Sequence, residues 1–532
     1  MKYKFYFLYV ILFLSNTLFA QDWKVYPSTP AGSILTFPKD EGRHASEPIE
    51  WWYISGNLKG STSGKTYSFM LTYFHYPAST FDGFRILNIT DDATGLFYED
   101  TKPVNYTSLS QDQLNIEAKV FAGGNESWVT KKDGENKLIP FEYTINAAST
   151  TAGFSLDCKS LKRPLIIGED GYIEQGSSSY SYYYSQTSIE VSGTLVMNGI
   201  GEQVKGMAWI DRQYGDFNPL TGEKYEWFHL QLTNGMDINL WNIFTQHNTI
   251  PKDKNYRILT SYVDENTQYQ TSDFNLERLA YNWMPDSAMC YSSQWRLTSA
   301  INKMDLIITT KNKNTEIKWP FRFYEGATTI SGTVNGSTVT GFGFAELLHS
   351  YEHPKVSVNT SGGTWNFISP ISWKITNPDD ARSLVYDIEY SINNKASFLP
   401  IAQALTDTFY KWNNAALSNN DEVWFKITAR SADSQLRGSA LSSASVRVVV
   451  PGATDQEIKL FPNPAGNELW IKSGIQINNP VYRIVDEKGR VIRSFKSNSL
   501  PSKINVNYLP AGIYFLKIKF GEESLLLKFI KL

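Results

Sequence analysis

The strongest constraint in this chain is a run that reads as a β-hairpin. In YEWFHLQLTNGMDINLWNIF, Tyr225–Phe244, apolar and polar residues alternate on both sides of Asn234-Gly235. Asn-Gly is the preferred pair for a two-residue turn, because its positive φ angles match the twist of the flanking strands. That turn sets Thr233 opposite Met236, and so His229 opposite Leu240 and Trp227 opposite Asn242. One face then carries Trp227, His229 and Gln231 beside Ile238, Leu240 and Asn242. The other carries Phe228, Leu230 and Leu232 beside Asp237, Asn239 and Trp241. Neither face reads as plain solvent or plain core. Aromatic area with a few single polar groups is the lining that a small-molecule site needs.

The stretch before the hairpin, GMAWIDRQYGD at Gly206–Asp216, has the same period of two. Met207, Trp209 and Asp211 share one face, with Ala208, Ile210 and Arg212 on the other. In the strand expected at Ile49–Leu58, Glu50, Trp52 and Ile54 face one way and Trp51, Tyr53 and Ser55 the other. Burial of Glu50 in that aromatic run raises its pKa unless a cation pairs with it. His75, ending the alternation of Tyr67–Tyr76, reads as the polar tip of a strand. The Ser/Tyr cluster Gly171–Gln186 reads either as a loop over a cavity mouth or as an aromatic strand end. Asn335-Gly336 closes a second hairpin within Phe323–Tyr351, where Glu346 follows Gly341-Phe342-Gly343-Phe344.

Short alternating runs between turn residues recur along all 532 residues, and long amphipathic helical patterns are scarce, so the chain reads as all-β. That length has room for about three or four domains. A net charge of −3, without a Lys/Arg cluster, gives no reason to expect nucleic acid. Residues 1–20 read as a secretory signal peptide: Lys2 and Lys4, an apolar run Phe5–Leu14, then Leu-Phe-Ala before Gln21. No later segment has about 18 continuous apolar residues, so no transmembrane segment is expected in the mature chain. Cys158 and Cys290 read as two separately buried thiols, and no metal-ligand spacing or cofactor motif appears.

Beyond the second hairpin, residues 353–452 show spaced strands at Ile371–Ile375, Leu384–Ile392, Glu422–Arg430 and Ala444–Val450, the pattern of a β-sandwich. Residues 453–532 form a compact set of short strands broken by Pro462-Asn463-Pro464, Lys488-Gly489 and Pro510-Ala511-Gly512.

Four blocks in order carry a resemblance: EWWYISGNL, the YSYYYS cluster, GMAWIDRQYG followed by EWFHLQL, and EGATTISGTVNG with GFGFAEL. They resemble the lipocalin-like family of carotenoid 1,2-hydratases (hydroxyneurosporene synthases) and AttH-type predicted secreted hydrolases. The resemblance implies two lipocalin-like β-barrels, at residues 21–200 and 201–352, that bind a hydrophobic small molecule in an oily pocket inside them. Gln213 stands where the family motif has Glu, and Leu348-His349-Ser350 replaces its closing Thr-Gly. The third segment resembles a fibronectin type III-like module. The last, residues 453–532, resembles the type IX secretion C-terminal sorting domain of Bacteroidota. That tail implies handling by the type IX secretion machinery, with the protein secreted or held at the outer-membrane surface.

In the hydratase branch, water adds across an isolated isoprenoid double bond, and the hard step is protonating an alkene carbon. The resemblance makes Asp211 the first candidate for the acid, with His229 positioning water and Glu346 or Glu50 as a second carboxyl. Trp52, Trp209, Tyr214, Trp227, Gln231 and Asn242 are the candidate ligand-lining residues. The plainer account pairs Asp211 with Arg212 in a loop and leaves the aromatics as barrel core. Lipocalin-like barrels also serve as carriers of apolar ligands, and related folds act as cyclases. A hydrolase reading has no Gly-x-Ser-x-Gly elbow or metal set behind it.

Overall fold

The computed structural model describes residues 23–532 apart from 79, 367–368, 413–416, 450–457, 473–479, 497–502 and 521–522. The leader at residues 1–20 lies outside the described residues. The chain is all-β and forms two compact units. One comprises Met1–Lys355 with Ile375–Val385 and Ala429–Gly438, and the other Val356–Lys374, Tyr386–Thr428 and Ser439–Leu532.

The first unit holds two barrels in tandem, the first closed by strand pairing and the second left open between Thr267–Thr271 and Asn275–Trp283. From Ile49–Gly60 to Ala152–Ser160, successive strands are antiparallel neighbours. The long strand Ser179–Met197 pairs with Ala152–Ser160 on one side and Ile200–Asp216 on the other. Ile200–Asp216 pairs in turn with Ile49–Gly60, which closes the barrel. Its interior is filled by its own side chains, among them Trp52, Phe69, Leu71, Trp128, Tyr143 and Ile145. The second sheet is centred on Lys224–Leu232, flanked by Asp237–Phe244 and Ser337–Leu347. It wraps around Phe228, Leu230, Leu240, Trp295, Leu306 and Leu347.

The Tyr225–Phe244 hairpin differs from the two-residue reading by one residue. Trp227 pairs with Trp241, His229 with Asn239 and Gln231 with Asp237. Leu232 N donates to Met236 O, so Thr233, Asn234 and Gly235 form a three-residue loop with Gly235 at φ 87°. Loops of that length end on a left-handed residue, which Gly takes without strain. The one-residue slip moves the whole return strand to the opposite face. Asp237, Asn239 and Trp241 therefore accompany Trp227, His229 and Gln231, while Asn242 turns into the second barrel. The other Asn-Gly pair behaves as expected. Val334 pairs with Ser337 across Asn335-Gly336, whose φ angles are 51° and 79°.

Within the second unit, Ile388 and Phe425 are buried in a six-stranded sheet and Trp373 in a three-stranded one. In the tail, a three-stranded and a four-stranded sheet enclose one core of Leu469, Ile471, Tyr482, Ile484, Leu516 and Phe529. Cys158 and Cys290 are free, buried thiols.

Candidate active site between the two barrels

Because the strand alternation gives each barrel an inner and an outer face, the outer faces of the two meet in a third apolar cluster. Tyr53, Met70, Ile86, Tyr183 and Trp209 come from the first barrel, and Trp227, Trp241, Ile258, Phe323 and Phe344 from the second. The registers arrange this seam in layers. Asn57 pairs with Met207, Ser55 with Trp209 and Tyr53 with Asp211. Across the seam Gln231 pairs with Phe342, His229 with Phe344 and Trp227 with Glu346. The hairpin closed by Asn335-Gly336 places Glu325 beside Glu346. The acid-bearing layer thus joins Tyr53, Asp211, Trp227, Glu346 and Glu325. The interiors expected to hold a pocket are filled by side chains, and these candidate residues meet between the cylinders instead.

Asp211 is buried at 3% exposure. Its Oδ2 accepts Tyr183 Oη–H at 2.8 Å, and its Oδ1 accepts Trp209 Nε1–H at 2.7 Å and Ser185 Oγ–H at 2.5 Å. Burial pushes its pKa up to about 7, against the pull of those three donors. The Tyr183 oxygen in turn receives N–H groups from Trp227 at 3.2 Å and Asn239 at 2.5 Å. Arg212, next in sequence, points the other way and pairs with Glu50 inside the first barrel. The local Asp211–Arg212 pair is therefore not formed.

His229 is fully buried between Trp209 and Phe344, with ring centroids 4.7 Å and 5.7 Å away at interplanar angles of 13° and 18°. Its Nε2 bonds Ser55 Oγ at 2.8 Å, and its Nδ1 has no partner. Burial holds its pKa well below the usual value, so the ring is neutral. Glu325 accepts Tyr53 Oη–H at 2.8 Å and Glu346 accepts that of Tyr225. Burial and the Glu346 charge push Glu325 well above the ordinary carboxylate range. Glu346 itself keeps partial exposure.

Of the residues expected at a site, Asp211, Trp209, Trp227, His229 and Glu346 converge in the seam. Gln231 lines an open cleft of about 360 Å³ at its other end, together with Asn57, Met207, Phe342, Lys162 and Asp237. Three others lie elsewhere. Trp52 packs inside the first barrel, donating from Nε1 to Glu41 O at 2.8 Å, under the Arg212 guanidinium at 4.0 Å. Tyr214 is in that same interior, stacked on His44 with centroids 3.5 Å apart. Asn242 accepts from Arg278 at 3.2 Å inside the second barrel. Burial is the largest single influence on Glu50 and raises its pKa, yet the Arg212 charge together with hydrogen bonds from His44 and Arg212 holds it below the ordinary carboxylate range. His75 is a buried strand end whose Nδ1 lies 4.0 Å from Glu50.

Tyr53, Tyr183, Ser185, Asn239 and Glu325 were missed as site residues. Glu325 was within reach, because counting back from the Asn335-Gly336 turn pairs it with Glu346. Tyr183 sits in a strand rather than a loop, which settles the two readings of the Ser/Tyr cluster. Among the described residues, no group of three or more His, Cys, Asp or Glu side chains is placed to hold a metal ion.

Residues 28–351 match the model of a family described as AttH-like, and residues 459–532 match the secretion system C-terminal sorting domain. That sorting domain marks the chain for the type IX secretion machinery, to the cell surface or the medium. A curated relative, kievitone hydratase of Fusarium solani subsp. phaseoli, is 22% identical over 331 residues, 58% of this chain and 85% of that protein. Two solved structures share the fold. An AttH protein from Nitrosomonas europaea superposes with TM-score 0.51 and 22% identity, covering 61% of this chain and 99% of its own. Kievitone hydratase from Nectria haematococca gives 0.50 and 16%, covering 62% and 97%.

Proposed function

The chain belongs to the AttH-like family, and from that premise we propose that it hydrates an isolated C=C bond of an apolar, isoprenoid- or lipid-like molecule held between its barrels. The observation that carries this reading is Asp211, a carboxyl buried in an aromatic wall with no cation beside it and a pKa of about 7. Such a group passes a proton in either direction at neutral pH. The kievitone hydratases, named for water addition to kievitone, support the same class of chemistry.

Protonation of an alkene carbon leaves a carbocation on its neighbour. The faces of Trp209, Trp227 and Trp241 around that position stabilise it by roughly 0.5–2 kcal/mol each. Neutral His229, with a free Nδ1, holds the attacking water. The apolar wall keeps other water away from the cation. The ligand enters by the cleft at Gln231, where Met207 and Phe342 receive its chain and Lys162 and Asp237 receive a polar end.

The test uses the full chain with farnesol as probe in ¹⁸O-labelled water, with label in the product read by mass spectrometry. Asp211→Asn is expected to lower incorporation about 100-fold or more while leaving probe binding intact. Binding without turnover in both proteins assigns a carrier instead.

A further inference from the structure

Hydration needs one group that gives a proton to carbon and another that takes a proton from water. The hydrogen bonds around Asp211 fit it for the second role. The Trp209 indole N–H can only donate, and it points at Oδ1. The Tyr183 oxygen already receives N–H groups from Trp227 and Asn239, so its own hydrogen is directed at Oδ2. Three donors converge on this carboxyl, and a proton placed on Oδ2 would face the Tyr183 hydrogen.

Glu325 and Glu346 are arranged otherwise. They are directly opposed on antiparallel strands, and each accepts one tyrosine O–H. Glu325 is 1% exposed, and its Oε2 has no donor from any other residue. No Lys or Arg bonds either carboxyl among the described residues. Two adjacent carboxyls without a cation cannot both ionise readily, and one proton held between them removes the repulsion.

Resting on the hydration reading, we propose that Glu325 and Glu346 share one proton at neutral pH, and that this pair delivers it to the alkene carbon while Asp211 takes the proton of the attacking water. The steps balance. The π pair of the double bond forms the new C–H bond and leaves the glutamate pair with an extra negative charge. Water oxygen then bonds the carbocation and gives its proton to Asp211. Asp211 releases that proton, and the pair regains one from solvent through Glu346, its partly exposed member. The net change is one water added. Substrate and proton thereby reach the seam from opposite ends, the cleft at Gln231 and the partly exposed Glu346.

The titratable groups facing the pair are Tyr53, Tyr225 and Asp211. Burial raises the two phenols well above their ordinary range, and Asp211 has passed its midpoint by about pH 7. A raised acid favours the folded state until pH climbs through its folded pKa. Above neutral pH the pair is therefore the group in this layer that still sheds a proton.

Thermal unfolding of the full chain from about pH 7 to about pH 9, without ligand, is expected to show wild type losing several degrees. Glu325→Gln should flatten that fall and also lower ¹⁸O incorporation into farnesol by about 100-fold or more. Should Glu325→Gln not fold, Glu346→Gln at the more exposed position gives the same two readouts. A pH profile unchanged from wild type, or hydration at the wild-type rate, overturns the proposal. Absence of hydration in wild type defeats the hydration reading and with it the delivery step, while the unfolding profiles still decide whether the pair holds a proton.

Discussion

The carboxyls that pair with arginine inside the barrels and the acid cluster at the middle of the seam are treated in opposite ways, while Asp237 at the cleft end of the seam is paired with Lys162. Inside the first, Glu50 bonds Arg212, and Glu126 meets Arg85 at 2.9 Å. Inside the second, Glu226 receives Arg278 Nε at 2.9 Å and Tyr351 Oη at 2.8 Å. Between the barrels, Asp211 and Glu325 receive only hydroxyl and indole hydrogens. A guanidinium fixes a carboxylate as charged, and such a group serves structure. A carboxyl given neutral donors alone stays close to protonation at working pH, which is what acid–base chemistry requires. The difference teaches that burial lifts a carboxyl toward neutral pH chiefly where no arginine offsets it. Glu41, inside the first barrel with Tyr26 and Tyr143 as partners and a pKa of about 7, lies between the two cases.

The comparison breaks most visibly when the cation is removed. Arg212→Met leaves buried Glu50 with only the His44 N–H and the more distant Arg43, at 3.9 Å, for support, and thermal or denaturant unfolding should show a loss of about 3 kcal/mol. Glu226→Gln, which strands Arg278, should cost a similar amount. Changing Asp211 acts chiefly on the pH profile. Its folded pKa of about 7 lies above the unfolded value near 3.8, so its contribution is complete below the unfolded value and is lost as pH rises through 7. The loss between those limits is on the order of 4 kcal/mol, and Asp211→Asn should flatten it in unfolding experiments across that range. Glu50 has the reverse sign, because its depressed pKa makes its contribution fade as pH falls. Tyr183→Phe removes one donor from Asp211 and leaves the Trp227 and Asn239 N–H groups short of an acceptor. A loss of about 1–3 kcal/mol is expected, with the Asp211 titration displaced upward. Ser55→Ala, which breaks the bond to His229, should cost about 0.5–1.5 kcal/mol by the same measurement.

Much of the fold was legible from alternation and turn residues. The strand expected at Ile49–Leu58 runs Ile49–Gly60, and those at Ile371–Ile375 and Glu422–Arg430 have the expected bounds. The Asn335-Gly336 hairpin was correct, whereas Asn234-Gly235 was misread because the same dipeptide fits a two-residue turn and the end of a three-residue loop. That slip put Asn242 in the site and kept Asn239 out. Alternation put Trp209 and Asp211 on one face and Arg212 on the other, yet it gave no label for which face was inner. Both faces are apolar here, since one fills a barrel and the other is covered by the second barrel. The same ambiguity sent Trp52 and Tyr214 to the candidate site. Tyr214 is three residues from Asp211 and so faces away from it, which the period of two alone would have shown.

The hydrogen bond from Tyr53 to Glu325 joins residues 272 apart in the chain. In a growing polypeptide the strands of the first barrel, through Asp216, are made before those that cover Asp211 and Tyr183, and an aspartate in water is an ordinary weak acid. Burial raises its pKa once the second barrel, with Trp227 and Asn239 against Tyr183, covers the carboxyl. Removing that cover is expected to return Asp211 toward ordinary acidity and leave the first barrel whole, so the raised pKa belongs to the joining of two bodies rather than to either one.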